Sequence, residues 1–327
     1  MKELLALSVG SVPGLRFPER LSLFASLKGI DDFRSLKPID LAERFHRVPR
    51  NTVWSPTALL ESAEKSLRSM EKRGIRLLTP LDPFYPPQLK EIYDPPFLLF
   101  YRGFLPTWEE TFLAIVGTRK PTGAGRTAAY TLAKEASRLG MVIVSGLARG
   151  IDGEAHKGCL DSQGKTVAVL GHGLDTVYPV CNRSLGERIL RAGGIFFSEY
   201  PPGTPPKPYH FPARNRIISG LSRGVVVVEA PYGSGALITA DYAMEQGRDL
   251  MIHRVGAESV HSTGTERLRE DGAPVIESCQ DLLTLWGFLN IQPTEVVPGE
   301  SSKVMARGMD PGQWLARQLR EELERKR

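Results

Sequence analysis

The sequence predicts an α/β protein built on a doubly wound, mostly parallel sheet that is preceded by a small all-α region. From Thr111 onward, short continuous apolar runs alternate with segments of helical length such as Ala124–Leu139 and Ala236–Gln246. Strands that are apolar on both faces need helices on both sides of the sheet, which is typical of parallel sheets. The predicted strands are Phe112–Val116, Met141–Val144, Thr166–Leu170, Ile195–Phe197, Val225–Val228 and Leu250–Ile252.

Helical periodicity and proline content divide the rest of the chain. Residues 1–72 are expected to form a helical domain, and residues 73–110 a proline-rich lead-in with one edge strand at Phe97–Tyr101. We expect the α/β domain over residues 111–290 to fold without the first seventy residues. Residues 291–327 are predicted to form a linker and a C-terminal amphipathic helix at Trp314–Arg327, too short for a winged helix. The predicted N-terminal helices are Arg20–Leu27, Ile39–Phe45 and Thr57–Met70.

Composition sets broad limits on function. The 42 Lys and Arg against 37 Asp and Glu give a net charge of +5, which is compatible with a polyanionic partner. The 3 cysteines form no CxxC pair, so we expect a reducing cytosol rather than a disulfide framework or a zinc knuckle. No apolar run approaches the roughly 20 residues that cross a bilayer. We therefore expect a cytoplasmic protein that makes no membrane contact.

Glycine follows four of the predicted strands, and two of these turns also carry arginine. Glycine lets backbone N–H groups approach a ligand closely, and a helix N-terminus adds partial positive charge, so together they form an anion cradle. One such turn also serves simply to reverse the chain, but four at the same edge of a sheet favour a phosphate-binding groove. Residues of these turns with this expected role are Gly117, Arg119, Ser145, Gly146, Arg149, Gly233, Ser234 and Gly235.

Two stretches resemble nucleotide-binding motifs but lack features that those motifs require. Gly123-x-Gly125-x-x-Ala128 resembles a dinucleotide fingerprint, but it begins several residues after its strand, and Ser145 ends the next strand where an acidic residue is needed. Gly164-Lys165-Thr166 leads into a strand rather than a helix, unlike a P-loop. His156 and His172 lack metal-ligand spacing, and Asp152 is expected to cap a helix. We predict no cofactor, no metal and no catalytic residue.

The segment Pro201–Arg216 interleaves basic and aromatic residues and contains no acid. Cations for phosphates and rings for bases are what single-strand binding requires. The alternative is a proline-stiffened loop in which Phe211 only fills the core. Arg214 and Arg216 open a predicted helix, where a core role is not expected. The predicted contacts in this segment are Lys207, Arg214, Asn215 and Arg216.

Several of these stretches resemble motifs of the DNA processing protein A family, also called DprA or Smf. The matching stretches are Val116–Arg119, Ser145–His156, Phe211–Ile218 and Gly233–Ala240, within Tyr85–Leu283. The resemblance implies an extended Rossmann-type fold after a SAM-like (sterile-alpha-motif-like) helical domain. It also implies cooperative single-stranded DNA binding, a homodimer, and loading of the RecA recombinase onto incoming DNA during natural transformation. Thr239, in the last of these stretches, joins the expected DNA-binding residues.

One strand end departs from the family pattern. Where the family usually runs from an apolar strand into Pro-Gly, this chain has Leu250–Gly256, with His253 and Arg254 at the strand end. The contribution of this strand to the groove is therefore open.

The sequence is also compatible with two other functions. A nucleotide-binding or nucleoside-phosphate-cleaving enzyme would use the same cradle with a carboxylate beside it, and Glu229 and Glu199 are the candidates at strand ends. An interaction scaffold with incidental DNA affinity is the third possibility. If the groove is real, alanine at Arg119 or Arg214 is expected to weaken DNA binding without changing thermal stability.

Overall fold

The computed structural model describes residues 1–46, 54–258 and 262–288. The chain folds as two compact units, and neither is continuous in sequence. The first unit comprises Met1–Gly103, Leu170–Thr176 and Phe196–His210. The second unit comprises Phe104–Val169, Val177–Ile195 and Phe211–Arg327. The predicted boundaries at residues 72, 110 and 290 stay a prediction.

The strands of the described residues form a nine-stranded, mostly parallel sheet in the order β1-β2-β6-β5-β4-β3-β7-β8-β9. In the second unit β5, β4, β3, β7, β8 and β9 run parallel, with Phe112 opposite Val142 and Leu113 opposite Gly224. In the first unit β1 and β2 are antiparallel. The strands are β1 Arg76–Leu78, β2 Leu99–Gly103, β3 Phe112–Val116, β4 Val142–Ser145, β5 Thr166–Val169, β6 Ile195–Ser198, β7 Gly224–Val227, β8 Asp249–His253 and β9 Val275–Ile276.

Helices connect the strands, together with one 3₁₀ turn at Val180–Asn182. The helices before β3 are α1 Lys2–Gly10, α2 Phe17–Ser26, α3 Ile30–Ser35, α4 Pro38–Phe45, α5 Pro56–Arg73 and α6 Pro87–Lys90. The later helices are α7 Gly123–Arg138, α8 Ile151–Asp161, α9 Arg183–Arg191, α10 His210–Leu221, α11 Gly235–Glu245, α12 Arg254–Glu258, α13 Ser262–Glu270 and α14 Cys279–Leu285.

The predicted α/β class, with a helical N-terminal region, is confirmed. Every residue of β3, β4, β5, β6 and β7 is buried, as continuous apolar strands require. In the second unit, one core cluster packs Leu113, Ile143 and Val226 of the sheet against α7, α8 and α14. The predicted linker and the helix at Trp314–Arg327 lie outside the described residues.

Within the first unit, the N-terminal helices pack on the proline-rich segment rather than only on one another. Phe24 of α2 lies edge-on to Phe97, with ring centroids 5.7 Å apart. Gly10 ends α1 against Leu98, where a Cβ atom would come within 2.9 Å of Leu98 Cγ. Part of the apolar surface of these helices therefore covers Phe97 and Leu98.

No described helix combines the length and apolar character that crossing a membrane requires.

Candidate nucleic-acid interface

Three loops of the second unit follow neighbouring parallel strands and therefore lie at one edge of the sheet. They are residues 117–122 after β3, residues 146–150 after β4 and residues 228–234 after β7. We call these three loops the carboxyl edge. The helices that follow, α7, α8 and α11, all begin there.

The loop after β3 is held close to its neighbours by its backbone. Thr118 N–H donates to the Glu229 carbonyl at 2.7 Å. A Cβ atom on Gly117 would lie 2.6 Å from Ile151 Cγ1 and 2.9 Å from the Glu229 carbonyl oxygen. Gly117 is thus required for packing, and the loop delivers Arg119 to an exposed position.

Hydrogen bonds with two side chains hold the loop after β4 in place. The buried carboxylate of Asp152 accepts hydrogen bonds from the Gly146 and Ala148 N–H groups at 3.1 and 3.4 Å. Asn182 Nδ2 donates to the Leu147 and Ala148 carbonyls at 3.0 and 2.9 Å. The Gly146 amide is therefore engaged within the protein, while Arg149 lies exposed in the same loop.

Burial raises the pKa of Asp152, because the charged carboxylate loses its hydration. The positive charges of Arg214 and Arg119 and the two loop N–H groups act in the opposite direction on that pKa. The expected helix-capping role of Asp152 is corrected: it is the second residue of α8, and its carboxylate binds the preceding loop instead.

Arg214 is buried beneath this loop, with 5% of its surface exposed. Its guanidinium donates to the Gly146 carbonyl at 2.9 Å and to the Val169 carbonyl, and so ties the ends of β4 and β5 together. Arg216, 8% exposed, donates to the Ala213 carbonyl at 2.8 Å. The expectation that neither arginine has a core role is wrong.

Three other predicted contact residues are also buried. The Ser145 hydroxyl donates to the Ile115 carbonyl at 2.7 Å, across from β4 to β3. Asn215 Nδ2 donates to the Gly235 carbonyl at 3.0 Å, and Thr239 is 1% exposed. The polar groups of Ser145 and Asn215 thus bind backbone carbonyls within the protein, and none of the three side chains is exposed.

Arg119 is exposed and lies beside an aromatic ring. Its guanidinium carbon lies 5.6 Å from the centroid of Phe211, within the range of a cation–π contact. Phe211 is half-buried, and its ring stacks on Tyr178 with centroids 5.7 Å apart and planes 28° apart. Phe211 is therefore more than a core residue: it supports a charged group at the surface.

The loop after β7 is the glycine-rich entry to α11. Gly233 has φ +73°, a left-handed conformation that favours glycine, and Ser234 Oγ accepts a hydrogen bond from Ala236 N–H at 3.3 Å. Gly233 and Gly235 are exposed and Ser234 is half-buried. These residues occupy the expected edge position.

The N-terminus of α7 is occupied by a side chain of the protein itself. Glu229 is fully buried, and its carboxylate accepts from Thr122 N–H at 2.9 Å and Thr122 Oγ1 at 2.6 Å. A Cβ atom on Gly125 would lie 2.9 Å from Glu229 Oε1. The carboxylate stands where a bound pyrophosphate would meet this helix, in agreement with the rejected dinucleotide fingerprint. A buried and bonded Glu229 is also poorly placed to act as a catalytic base.

His156 is a neutral core residue. Its Nδ1 lies 2.7 Å from Thr166 Oγ1, whose own proton goes to the Ile143 carbonyl, so Nδ1 carries the proton. Burial, with Arg214 nearby, lowers the pKa of His156 to about 3. Across the described ranges, no group of three or more His, Cys, Asp or Glu is arranged to hold a metal ion.

Two other residues named from the sequence lie outside the three loops of the carboxyl edge. Lys207 belongs to the first unit, is exposed, and has its Nζ 5.7 Å from the ring centroid of Tyr209. His253, at the altered strand end, is 4% exposed and accepts from Val255 N–H at 3.2 Å through Nδ1. Burial lowers its pKa. This histidine therefore caps the short helix α12.

Sequence reasoning missed the residues that hold the edge together. Asn182 lies 35 residues from the Leu147 carbonyl that it binds, and no local pattern announces that contact. Tyr178 lies between β5 and α9, outside the sequence motifs described above. Only the interleaving of rings and cations around Phe211 hinted at a ring stack.

Fold and site together define a doubly wound α/β protein whose carboxyl edge carries two exposed arginines, of which Arg119 lies beside a pair of stacked aromatic rings. The family model of DNA recombination-mediator protein A matches residues 76–287, more than half of the chain. The chain belongs to that family.

Relatives and solved structures agree with this assignment. Protein Smf of Synechocystis sp. is 44% identical over 242 residues, covering 72% of this chain and 61% of that protein. The DNA processing protein DprA of Bacillus subtilis is 40% identical over 230 residues, covering 70% of this chain and 77% of that protein. The X-ray structure of DNA processing protein A from Streptococcus pneumoniae superposes with a TM-score of 0.70 at 35% identity, over 86% of this chain and 96% of that chain. The corresponding protein of Helicobacter pylori gives a TM-score of 0.57 at 30% identity, over 65% and 95% of the two chains.

Proposed function

We propose that this chain binds single-stranded DNA at the carboxyl edge of its second unit, chiefly through phosphate contacts. The observation that carries the proposal is the exposed Arg119 guanidinium held against the Phe211 ring. Arg149, exposed in the adjacent loop, supplies a second cation. The solved Helicobacter pylori relative is described by its single-stranded DNA binding mode, which supports the same ligand here.

The Arg119 guanidinium is already held against the Phe211 ring in the protein without DNA. A charge-assisted hydrogen bond from an arginine to a phosphate contributes roughly 1.5–3 kcal/mol, and the ring contact limits the freedom that Arg119 loses on binding. Hydrogen bonds with the buried Asp152 and Arg214 and the half-buried Asn182 keep the loop of Arg149 in place. The exposed Gly233–Gly235 turn and, in the first unit, Lys207 are further proposed contacts.

Family membership supports a wider role. We infer that the protein protects incoming DNA and loads the RecA recombinase onto it during natural transformation and recombination. It would act in the cytoplasm as a homodimer and without covalent chemistry on the DNA. The names of the Bacillus subtilis and Streptococcus pneumoniae relatives, DNA processing protein DprA, support the coarser role in DNA processing.

The test is a fluorescence-anisotropy titration with a labelled oligo-dT, competed by unlabelled single strand and by duplex of equal length. We expect single strand to compete strongly and duplex weakly. The log–log slope of affinity against salt should be about −0.7 for each phosphate contacted, measured between about 50 and about 200 mM salt. Equal competition by duplex, or a flat salt dependence, would overturn the proposal.

The rival function is that of a nucleoside-phosphate-cleaving enzyme. A turnover measurement distinguishes it from DNA binding alone. Incubation with common nucleotides should release neither base nor phosphate if the carboxyl edge only binds. Release that disappears in Glu229→Gln or Glu199→Gln would instead favour the enzyme.

A further inference from the structure

The loop after β4 holds a backbone conformation that its own sequence does not favour. Leu147 has φ +54°, in the left-handed region that a residue with a Cβ atom rarely adopts. Its side chain is fully buried, and Gly150, on the other side of Arg149, has φ +78°. Arg149 is exposed between these two positions. The place at which its side chain leaves the surface therefore depends on the contacts that keep Leu147 left-handed.

The two ends of this loop are anchored in different ways. On the carboxyl side, Glu154 N–H donates to the Gly150 carbonyl at 3.1 Å, so the first turn of α8 holds Gly150. On the amino side, Leu147 and Ala148 lie ahead of the helix, and a side chain from another element binds their carbonyls. That side chain is Asn182, which ends the 3₁₀ turn before α9 and is 35 residues away from Leu147 in the chain.

One side-chain amide serves both carbonyls. Asn182 Nδ2 lies 3.0 Å from the Leu147 oxygen and 2.9 Å from the Ala148 oxygen, and an amide nitrogen has two hydrogens to donate. The backbone of Asn182 is fixed in turn, because its N–H donates to the Pro179 carbonyl at 2.9 Å. If Leu147 left the left-handed region, the peptide groups on either side would rotate and their carbonyls would lose this donor. The amide therefore stabilises the left-handed loop over a relaxed one.

We propose that Asn182 is a positioning residue for DNA binding, which keeps Arg149 where it meets a phosphate by holding Leu147 in its left-handed conformation. This role rests on the proposed function and deepens it, because the strength of one phosphate contact is assigned to an amide that does not itself touch the DNA. Without the amide the loop relaxes, and the Arg149 contact is lost although the arginine is still present.

The test is a double-mutant cycle measured with labelled oligo-dT. Asn182→Leu keeps the approximate volume of the side chain and removes both donors. It should weaken binding about threefold or more, and by no more than Arg149→Ala, for which we expect about tenfold. In the Arg149→Ala background Asn182→Leu should cause no further loss, because the group that it positions is gone. The matched control is the Arg119→Ala background, in which Asn182→Leu should cause its full loss.

Salt dependence and hydrogen exchange separate positioning from a general loss of stability. Asn182→Leu and Arg149→Ala should each reduce the log–log salt slope by about 0.7, the contribution of one phosphate contact. Peptides that contain residues 146–150 should exchange their amide hydrogens faster in Asn182→Leu than in the wild type. Peptides from β3 and β7 should exchange at the wild-type rate, because the change is confined to the loop.

The outcomes distinguish this role from the proposed function. If the wild type does not bind oligo-dT with a salt-dependent affinity, the proposed function itself fails. If the wild type binds and either Asn182→Leu or Arg149→Ala binds equally well, the positioning role alone is overturned. A loss that persists undiminished in the Arg149→Ala background, or faster exchange throughout the protein, would also overturn it, because Asn182 would then support the fold rather than one contact.

Discussion

Arg119 and Arg214 carry the same charged group in opposite surroundings. Arg119 is exposed beside the Phe211 ring, whereas Arg214 is 5% exposed and bonded to the Gly146 and Val169 carbonyls. The first is available to a phosphate, and the second holds two strand ends together. At the scale of single residues, the carboxyl edge is thus a layer of exposed cations over a layer of buried polar contacts.

Arg214→Ala is expected to destabilise the protein. The change leaves the Gly146 and Val169 carbonyls without this donor and Asp152 without the nearby positive charge, at a cost of about 3 kcal/mol in the free energy of unfolding. Urea unfolding measures this directly. Arg119→Ala is the control and should remain within about 0.5 kcal/mol of the wild type. Equal stability of the two variants would contradict the assignment of Arg214 to the core.

The sequence predicted both arginines as DNA contacts at the surface, but only Arg119 is exposed. An arginine in a strand-to-helix turn and an arginine in the first turn of a helix look alike in sequence. Their difference lies in contacts with residues far away in the chain, such as Val169, which is 45 residues from Arg214. Burial of this kind is set by tertiary packing and leaves no local signal.

At the scale of elements, the helix N-termini at the carboxyl edge differ in what occupies them. The start of α7 is filled by the Glu229 carboxylate, and the loop before α8 is bound by the Asp152 carboxylate. The start of α11 has the exposed residues Gly233 and Gly235 around Ser234. The sequence predicted a glycine-rich turn before each of the three helices. It did not predict which of these turns bind a carboxylate of the protein itself.

Two glycines at helix starts provide a matched pair of variants. Gly125→Ala should lower the free energy of unfolding by about 1–3 kcal/mol, because the new methyl group would press on the buried Glu229 carboxylate. Gly235→Ala should be neutral or stabilising by up to about 1 kcal/mol, since no atom lies within 4 Å of its Cβ position. Chemical denaturation of both variants is the measurement. A destabilised Gly235→Ala with an unchanged Gly125→Ala would contradict the filled α7 terminus.

At the scale of the whole molecule, the strands were predictable because β3 to β7 are buried along their entire length and consist mostly of apolar residues. Phe112–Val116 was predicted with the bounds that β3 has, and Ile195–Phe197 falls one residue short of β6. The short β1 and β9 were missed, since strands of 3 and 2 residues carry no period. The division into two units could not be read from the sequence either, because Leu170–Thr176 and Phe196–His210 belong to the first unit.

The packing of the N-terminal helices changes what a truncation should do. The fragment 75–290 would expose Phe97 and Leu98, which α2 and α1 cover in the intact chain. We expect this fragment to unfold at a lower temperature than the full chain and to associate through the uncovered surface. Differential scanning calorimetry and light scattering provide the comparison. A monomeric fragment with the Tm of the full chain would show that the helices are dispensable.

The central claim is that the exposed arginines of the carboxyl edge bind the backbone of single-stranded DNA. The most direct measurement is the affinity of Arg119→Ala and Arg138→Ala for a labelled oligo-dT, with the Tm of each variant. Arg138 is exposed at the last residue of α7, about 24 Å of helix away from the carboxyl edge. We expect a loss of affinity of about tenfold or more for Arg119→Ala, no loss for Arg138→Ala, and an unchanged Tm for both. Wild-type affinity in Arg119→Ala, or a loss that only follows its unfolding, would contradict the account.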